Sequence, residues 1–576
     1  MYSRFSFFSV RRSAAAYWLL SISLIVSAVC GQDLDKVQAV PIVPLLESPE
    51  ETAVEQIPLF AARPGETVVL ERLVGVRFVT SPAELSEPGF PAGGIDVSRV
   101  PGLQEGGFAE ITEAFLDQPV SRESLDRLAS AARMFLRVQG QSFVSVYLPP
   151  QDITDGFVQI VVSEARADGA PRVIGARHFS EKSYLAAIRQ PTDGSIDEAQ
   201  MAADLAWLNR NPFRRVVAGA EPGATPGTTR LTLRAQERLP WSIAAGYDNT
   251  GTAATDEDRL SANITWGNAL GRGDLLTYRF TADPNLERSR SHSVSYTAFL
   301  PWRHVLTFFG THSKIDSLVT PPFTQVGRSW QIGARYEVPL QPLRNGWSQN
   351  LSLLADFKYS DNNLEFATIP VVNNATHIAQ AGVSYGVEFA GLGGRNFATA
   401  NLYASPGGLT DRNGDRAFAG TRPGAKADYV YGTLTFSHQH PLASGFSWTT
   451  SGTLQVASGA LLGSEQLNGG GAYAVRGFRE STAFGDEGVV WNNELHLPGY
   501  AFKAGSDNLD TFVFVDAASL RLRVDDDTFE LSSAGVGVNY TWRRNFTLRA
   551  AYGWQWKKLP GSRDDGHGHV SANVSW

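Results

Sequence analysis

The sequence predicts an α+β segment followed by an all-β transmembrane barrel of about 16 antiparallel strands. Three observations carry this. A basic and apolar leader opens the chain, period-two alternation begins after Trp241, and the connections beyond it are alternately short and long. Composition agrees: charged residues are only 19% and the formal net charge is −8, so neither a disordered charged tail nor a nucleic-acid partner is indicated. The 55 glycines and 11% aromatics suit many strands joined by turns.

In chain order, Arg4, Arg11 and Arg12 precede an apolar run at 14–29 that ends in Ala28-Val29-Cys30-Gly31. Small residues there have the spacing a signal peptidase reads, so residues 1–30 read as a signal peptide whose removal leaves no cysteine. A lipid anchor on Cys30 is the alternative. No later run reaches the ~20 apolar residues of a membrane helix, so any crossing is made by strands. Residues 31–65 are a linker with Pro41, Pro44, Pro49, Pro58 and Pro64, a candidate plug. Ser48-Pro49-Glu50-Glu51 is a short helix start.

Residues 66–240 read as two small units of order β-α-α-β-β. The first has a strand at 68–79, helices at 108–116 and 121–137, and a hairpin of 143–148 with 156–164. Leu125, Leu128, Ala132 and Phe135 line one face of the second helix. The second unit has a strand at 172–175, helices at 180–188 and 196–209, and strands at 213–218 and 229–235. Such a unit leaves an edge strand unpaired, which suits addition of a strand from an extended client.

Pro150-Gln151 with Gly156-Phe157-Val158-Gln159-Ile160-Val161-Val162-Ser163-Glu164, then Leu208-Asn209-Arg210-Asn211-Pro212-Phe213 and Pro222-Gly223-Ala224-Thr225-Pro226-Gly227-Thr228-Thr229, resemble the paired POTRA domains of two-partner secretion transporters, the TpsB or ShlB/FhaC/HecB family. The resemblance implies POTRA domains at 66–165 and 166–240 in the periplasm, with client-binding residues somewhere within 66–240.

From Trp241 the barrel strands are expected at 241–249, 259–267, 274–282, 291–300, 304–313, 329–340, 349–360, 377–390, 396–404, 428–439, 445–457, 487–497, 509–518, 529–542, 545–556 and 568–576. Connections after even-numbered strands, such as 300–303 and 441–444, are short. Those after odd-numbered strands, such as 314–328 and 405–428, are long and polar, the asymmetry of periplasmic turns and external loops. The last strand ends in Trp576, which resembles the signal that barrel assembly machinery reads.

The stretch 464–480 joins the eleventh and twelfth strands and contains Val475-Arg476-Gly477-Phe478. In the family that it resembles, this sixth external loop carries a VRGF/Y motif and folds into the lumen, its arginine meeting an acidic residue on the thirteenth strand. The matching residue is Asp516: Phe512, Phe514 and Asp516 share one face and Val513 and Val515 the other, so lipid-facing valines turn Asp516 inward. Glu494, inward on the twelfth strand, is a rival partner. Ala518 stands where the family has glycine.

No nucleotide or zinc motif is present, and no catalytic residue and no cofactor is indicated. Asp411-Arg412-Asn413-Gly414-Asp415 has its glycine misplaced for a calcium loop, and His567 and His569 read as a polar turn; no metal site is assigned. The resemblance implies an outer-membrane transporter, not an enzyme. Its partners would be a secreted β-solenoid exoprotein with an N-terminal secretion domain, outer-membrane lipid and the barrel assembly machinery. A barrel insertase and a passive porin are the alternatives.

Overall fold

The computed structural model describes residues 65–85, 93–104, 107–138, 141, 144–225, 228–317, 323–344, 346–366, 369–503, 506–524, 526–543, 545–559 and 564–576. The signal peptide, Cys30 and the linker through Pro64 lie outside these residues. The chain divides into one unit at 46–239 and another that contains 240–576.

In the first α/β region a four-stranded sheet runs in the order Gly94–Asp96, Gly75–Val79, Phe157–Glu164, Val144–Tyr147. Helix Arg122–Val138 covers it with Leu125, Leu128 and Ala132, all buried, and Phe135 packs at the margin. The helix starts where Ser121 and Ser124 bond reciprocally, each hydroxyl accepting the other's backbone N–H at 3.0 and 2.9 Å, which satisfies two end donors. The strand expected at 68–79 is two strands. Leu73 turns into the core and exchanges backbone bonds with Asp117 and Gln118, so Val68–Leu70 pairs instead with Val120–Ser121. Gly94–Asp96 was not expected, because three residues are too short to display a period.

The second region joins Arg214–Pro222, Thr228–Glu237, Arg166–Asp168 and Asp193–Ser195 in that order, with Arg172–Ile174 also on Thr228–Glu237. Among the described residues the outer edge of Arg214–Pro222 has no strand partner. Glu237 secures this region: its carboxylate accepts the backbone N–H of Arg177 at 2.9 Å and of Phe179 at 3.4 Å, together with those of His178 and the hydroxyl of buried Tyr184. Arg214 lies beneath, its guanidinium 5.0 Å from the Phe179 ring.

The barrel strands are β1 Trp241–Asp248, β2 Arg259–Ala269, β3 Asp274–Ala282, β4 Ser289–Phe299, β5 Val305–Ser317, β6 Phe323–Leu340, β7 Trp347–Phe366, β8 Ile369–Gly391, β9 Gly394–Pro406, β10 Asp428–Pro441, β11 Ser447–Ala457, β12 Glu487–His496, β13 Asp507–Arg521, β14 Thr528–Trp542, β15 Phe546–Lys557 and β16 Gly566–Ser575. They form one closed antiparallel barrel. Closure satisfies every strand edge, a condition that hydrocarbon imposes. Trp576 completes the seam, since its N–H donates to Ile243 at 2.9 Å and its carbonyl accepts from Ile243 at 3.2 Å, while its indole stays exposed.

Outward positions carry the lipid surface. Val513 and Val515 are exposed whereas Asp516 is fully buried. Near the ends reached by the short turns, aromatic residues gather: Trp241 stacks on Trp266 at 5.2 Å, Trp347 on Phe389 at 4.4 Å, and the Trp302 indole donates to Tyr336 at 3.0 Å. Such belts sit where hydrocarbon meets headgroups.

The loop asymmetry differs from expectation in the middle of the barrel. Residues 314–328, expected as a loop, are largely strand, because β5 continues to Ser317 and β6 begins at Phe323. β7 and β8 likewise overrun their expected limits and stay paired as far as Phe366 and Ile369. A ladder that continues beyond the apolar band loses its outward hydrophobic rule while keeping its backbone bonds. Long connections remain after β9 and β11. The first contains a short helix, Asp415–Thr421.

Removing the Glu237 carboxylate takes the acceptor from three N–H groups, of which that of Phe179 is partly buried while those of Arg177 and His178 are exposed and regain water; an unsatisfied buried donor costs about 1–3 kcal/mol. Glu237→Ala in the full-length protein is therefore expected to expose 166–237 to brief protease treatment while the barrel keeps its heat-modifiable mobility on gels.

Candidate functional site

Loop 6, residues 458–486, folds back into the barrel as a narrow hairpin whose neck is Leu467–Asn468 paired with Phe484–Gly485. Val475 and Phe478 are buried in an apolar seat with Val490, Ala518, Leu520 and Leu531. Ala518 thus fills space beneath the loop, on the inner face of β13.

Between these two anchors stands Arg476, only 2% exposed. Its Nε donates to Asp516 Oδ2 at 2.7 Å and its Nη2 to Asp516 Oδ1 at 2.8 Å. Its own backbone N–H adds a third bond to Oδ2 at 3.1 Å. Two parallel bonds fix the guanidinium in direction as well as distance. The remaining nitrogen, Nη1, donates to Glu494 on β12. Asp516 and Glu494 are therefore joint partners rather than rivals, because a guanidinium has a free edge left after a bidentate carboxylate. Glu494 Oε1 also accepts from Arg549 on β15 at 2.9 Å, and its Oε2 lies 3.1 Å from His496 Nε2. His496 in turn faces Asp510 at 2.9 Å.

The Arg476 cation lies 3.7 Å from the Phe514 ring centroid, adding an attraction to the ring face. Its charge is thus met by two carboxylates and an aromatic face, which offset the loss of water.

Gly477 allows the tip to turn. It has φ of +90°, and a Cβ there would lie 2.7 Å from the Gly553 carbonyl oxygen on β15. A Cβ on Gly553 would meet Gly477 N at the same distance. The Gly477 carbonyl accepts from Gln555 at 2.7 Å and the Ala474 carbonyl from Asn492 at 2.5 Å, so the wall binds the loop's backbone as well as its arginine. Gly553, Gln555, Asn492 and Arg549 were not singled out in the sequence; inward parity on strands near the motif is the signal that finds them.

Other sequence candidates have structural partners of a different kind. Asn413 is buried and accepts the Leu409 N–H while donating to the His377 carbonyl, and Asp415 accepts the Ala427 N–H. Both thereby shape the loop after β9. His567 and His569 lie on strand β16, not in a turn, and His569 is buried. Among the described residues no group of three or more His, Cys, Asp or Glu side chains is arranged to hold a metal ion.

Gly477→Ala and Gly553→Ala are each expected to free the tip. A cysteine placed at Ala474 in the Cys30→Ala background should label slowly with a membrane-impermeant maleimide in the parent and several-fold faster in either variant.

Residues 227–540 match the family described as haemolysin secretion/activation protein ShlB/FhaC/HecB, and residues 90–165 match the ShlB-type POTRA domain. The outer membrane transporter CdiB of Dickeya dadantii is 22% identical over 444 residues, 75% of this chain and 76% of that protein. The heme/hemopexin transporter protein HuxB of Haemophilus influenzae is 23% identical over 404 residues, 68% of this chain and 70% of that protein. In fold, CdiB from Escherichia coli superposes with a TM-score of 0.63 at 18% identity, covering 92% of this chain and 94% of that one. With the family match spanning more than half of its length, this chain belongs to the ShlB/FhaC/HecB haemolysin secretion/activation family: it is an outer-membrane transporter of two-partner secretion with its POTRA region in the periplasm.

Proposed function

We propose that this transporter exports one dedicated β-solenoid exoprotein, captured by an N-terminal secretion domain and passed through the barrel after loop 6 shifts. The observation that supports this reading is the bidentate hold of Arg476 on Asp516 inside a closed barrel, since a loop held there has to move for a client to pass. Two POTRA units, at 66–165 and 166–240, serve as the receptor. The edge of Arg214–Pro222 beyond Val216, whose own N–H and carbonyl are taken by the Asn209 side chain, supports strand addition by an extended chain, because main-chain groups there can extend the ladder without regard to side-chain identity. The outer membrane offers no nucleotide, so folding of the client outside supplies direction. The protein performs no catalysis of its own. During biogenesis the barrel assembly machinery reads the terminal strand that ends in Trp576.

The bonds rank the lock residues. Arg476→Ala leaves two buried carboxylates short of a cation, a loss of about 3–5 kcal/mol for a buried pair. Secretion is expected to fall most for Arg476→Ala and Asp516→Ala and less for Glu494→Ala, with all three barrels inserted and heat-modifiable. Normal secretion by Arg476→Ala would remove the lock from the mechanism.

A paired proteomic comparison of medium and outer membrane, with and without this gene, tests the transport reading itself. Loss of one large protein from the medium is the expected result. Depletion of many outer-membrane barrels would instead identify an insertase, and an unchanged medium a porin.

A further inference from the structure

Loop 6 is fastened a second time, at its neck, by ion pairs that share no residue with the Arg476 cluster. At the loop's entry Glu465, 2% exposed, reaches the wall of β7 to β10. Lys358 Nζ on β7 donates to its Oε1 at 2.6 Å, and its Oε2 accepts Gln380 Nε2 on β8 at 3.2 Å and the Tyr431 hydroxyl on β10 at 2.7 Å. At the loop's exit Asp486 is fully buried. Arg422, from the connection after β9, grips both its oxygens, with Nη2 to Oδ2 at 2.8 Å. The backbone N–H groups of Leu461 and Arg523 donate to the same carboxylate at 2.9 and 2.8 Å.

The two halves are tied to each other. Gln455 on β11 donates to the carbonyls of both Glu465 and Asp486, at 3.0 and 3.1 Å. Around them Phe418, Tyr429, Tyr431, Leu461 and Leu462 form an apolar cluster joining the connection after β9 to the start of loop 6. Within that cluster Ala425 and Ala460 are backbone-bridged neighbours.

The geometry separates the two fastenings along the pore. Tyr431, Gln455, Asp486 and Arg523 lie at or near the external ends of β10, β11, β12 and β13, whereas Asp516 on β13 lies seven residues before Arg523 and Glu494 on β12 eight residues after Asp486, both further into the wall. Buried ion pairs of this kind are costly to break singly and are not weakened by changes in a cluster with which they share no residue. We infer that the neck contacts form an outer latch: loop 6 stays across the external mouth when the Arg476 lock is released, and a client leaves only after the latch also parts. This rests on the transport reading above.

The first test is conductance of the full-length protein in planar lipid bilayers. Arg476→Ala and the latch variant Glu465→Gln/Asp486→Asn are each expected to stay close to the parent, and the combination to conduct several-fold more than either. A combination no more conductive than Arg476→Ala alone would overturn the latch. The second test leaves the ion pairs intact. In the Cys30→Ala background, Ala425→Cys/Ala460→Cys places cysteines on bridged neighbours, within the Cα separation that a disulfide spans. Secretion is expected to be lost when the pair is oxidised and restored by reductant. Undiminished secretion with the disulfide formed would overturn the proposal, whereas a parent with Cys30 intact that secretes nothing would instead refute the transport reading.

Discussion

A guanidinium almost without solvent must have carboxylates around it, and the inner architecture of this barrel is arranged to supply them. Arg476 draws on Asp516 from β13 and Glu494 from β12, and Glu494 in turn holds Arg549 from β15. The loop cannot lie elsewhere in the lumen without abandoning that charge balance. The wall is constrained in return: a one-residue slip of β13 would send Asp516 toward lipid and bring Val515 inward. Lock and strand register therefore specify each other.

The barrel wall obeys two solvents at once. Its outer face meets hydrocarbon, and valines, leucines and aromatics occupy alternate positions along β12 to β15. On its inner face short hydroxyl side chains pair across strands, as Ser313 with Ser291 at 3.0 Å and Thr435 with Thr453 at 3.2 Å. Such pairs satisfy polar groups without bulky side chains, a modest contribution each but one repeated along the ladder. Where β5 to β8 run past the apolar band the backbone ladder continues, joined by side-chain bonds such as the one Asp361 accepts from the Arg328 N–H at 2.7 Å.

The α/β region follows the same logic on a smaller scale. Its helices cover one face of each sheet, and short strands at the margins leave backbone groups available. Glu237 sits at the end of the last strand before Trp241 and ties it to the turn ahead of Tyr184, so the strand that leads toward the barrel is anchored by its own carboxylate.

What the sequence determined by itself was the part governed by local rules. Hydrocarbon imposes alternation on every crossing strand, so all sixteen barrel strands were legible, as were the inward side of Asp516 and the position of loop 6 between β11 and β12. The helix at Arg122–Val138 was legible because its buried face repeats at helical spacing. Tertiary structure decided what depends on partners distant in the chain. Three-residue strands such as Gly94–Asp96 exist only because a neighbour pairs with them. Arg476 takes both Asp516, forty positions on, and Glu494, a choice that parity alone left open. Lys358 meets Glu465 across 107 positions, and no local pattern marks either residue, because a buried ion pair is specified by where two strands end up rather than by what surrounds each charge in sequence.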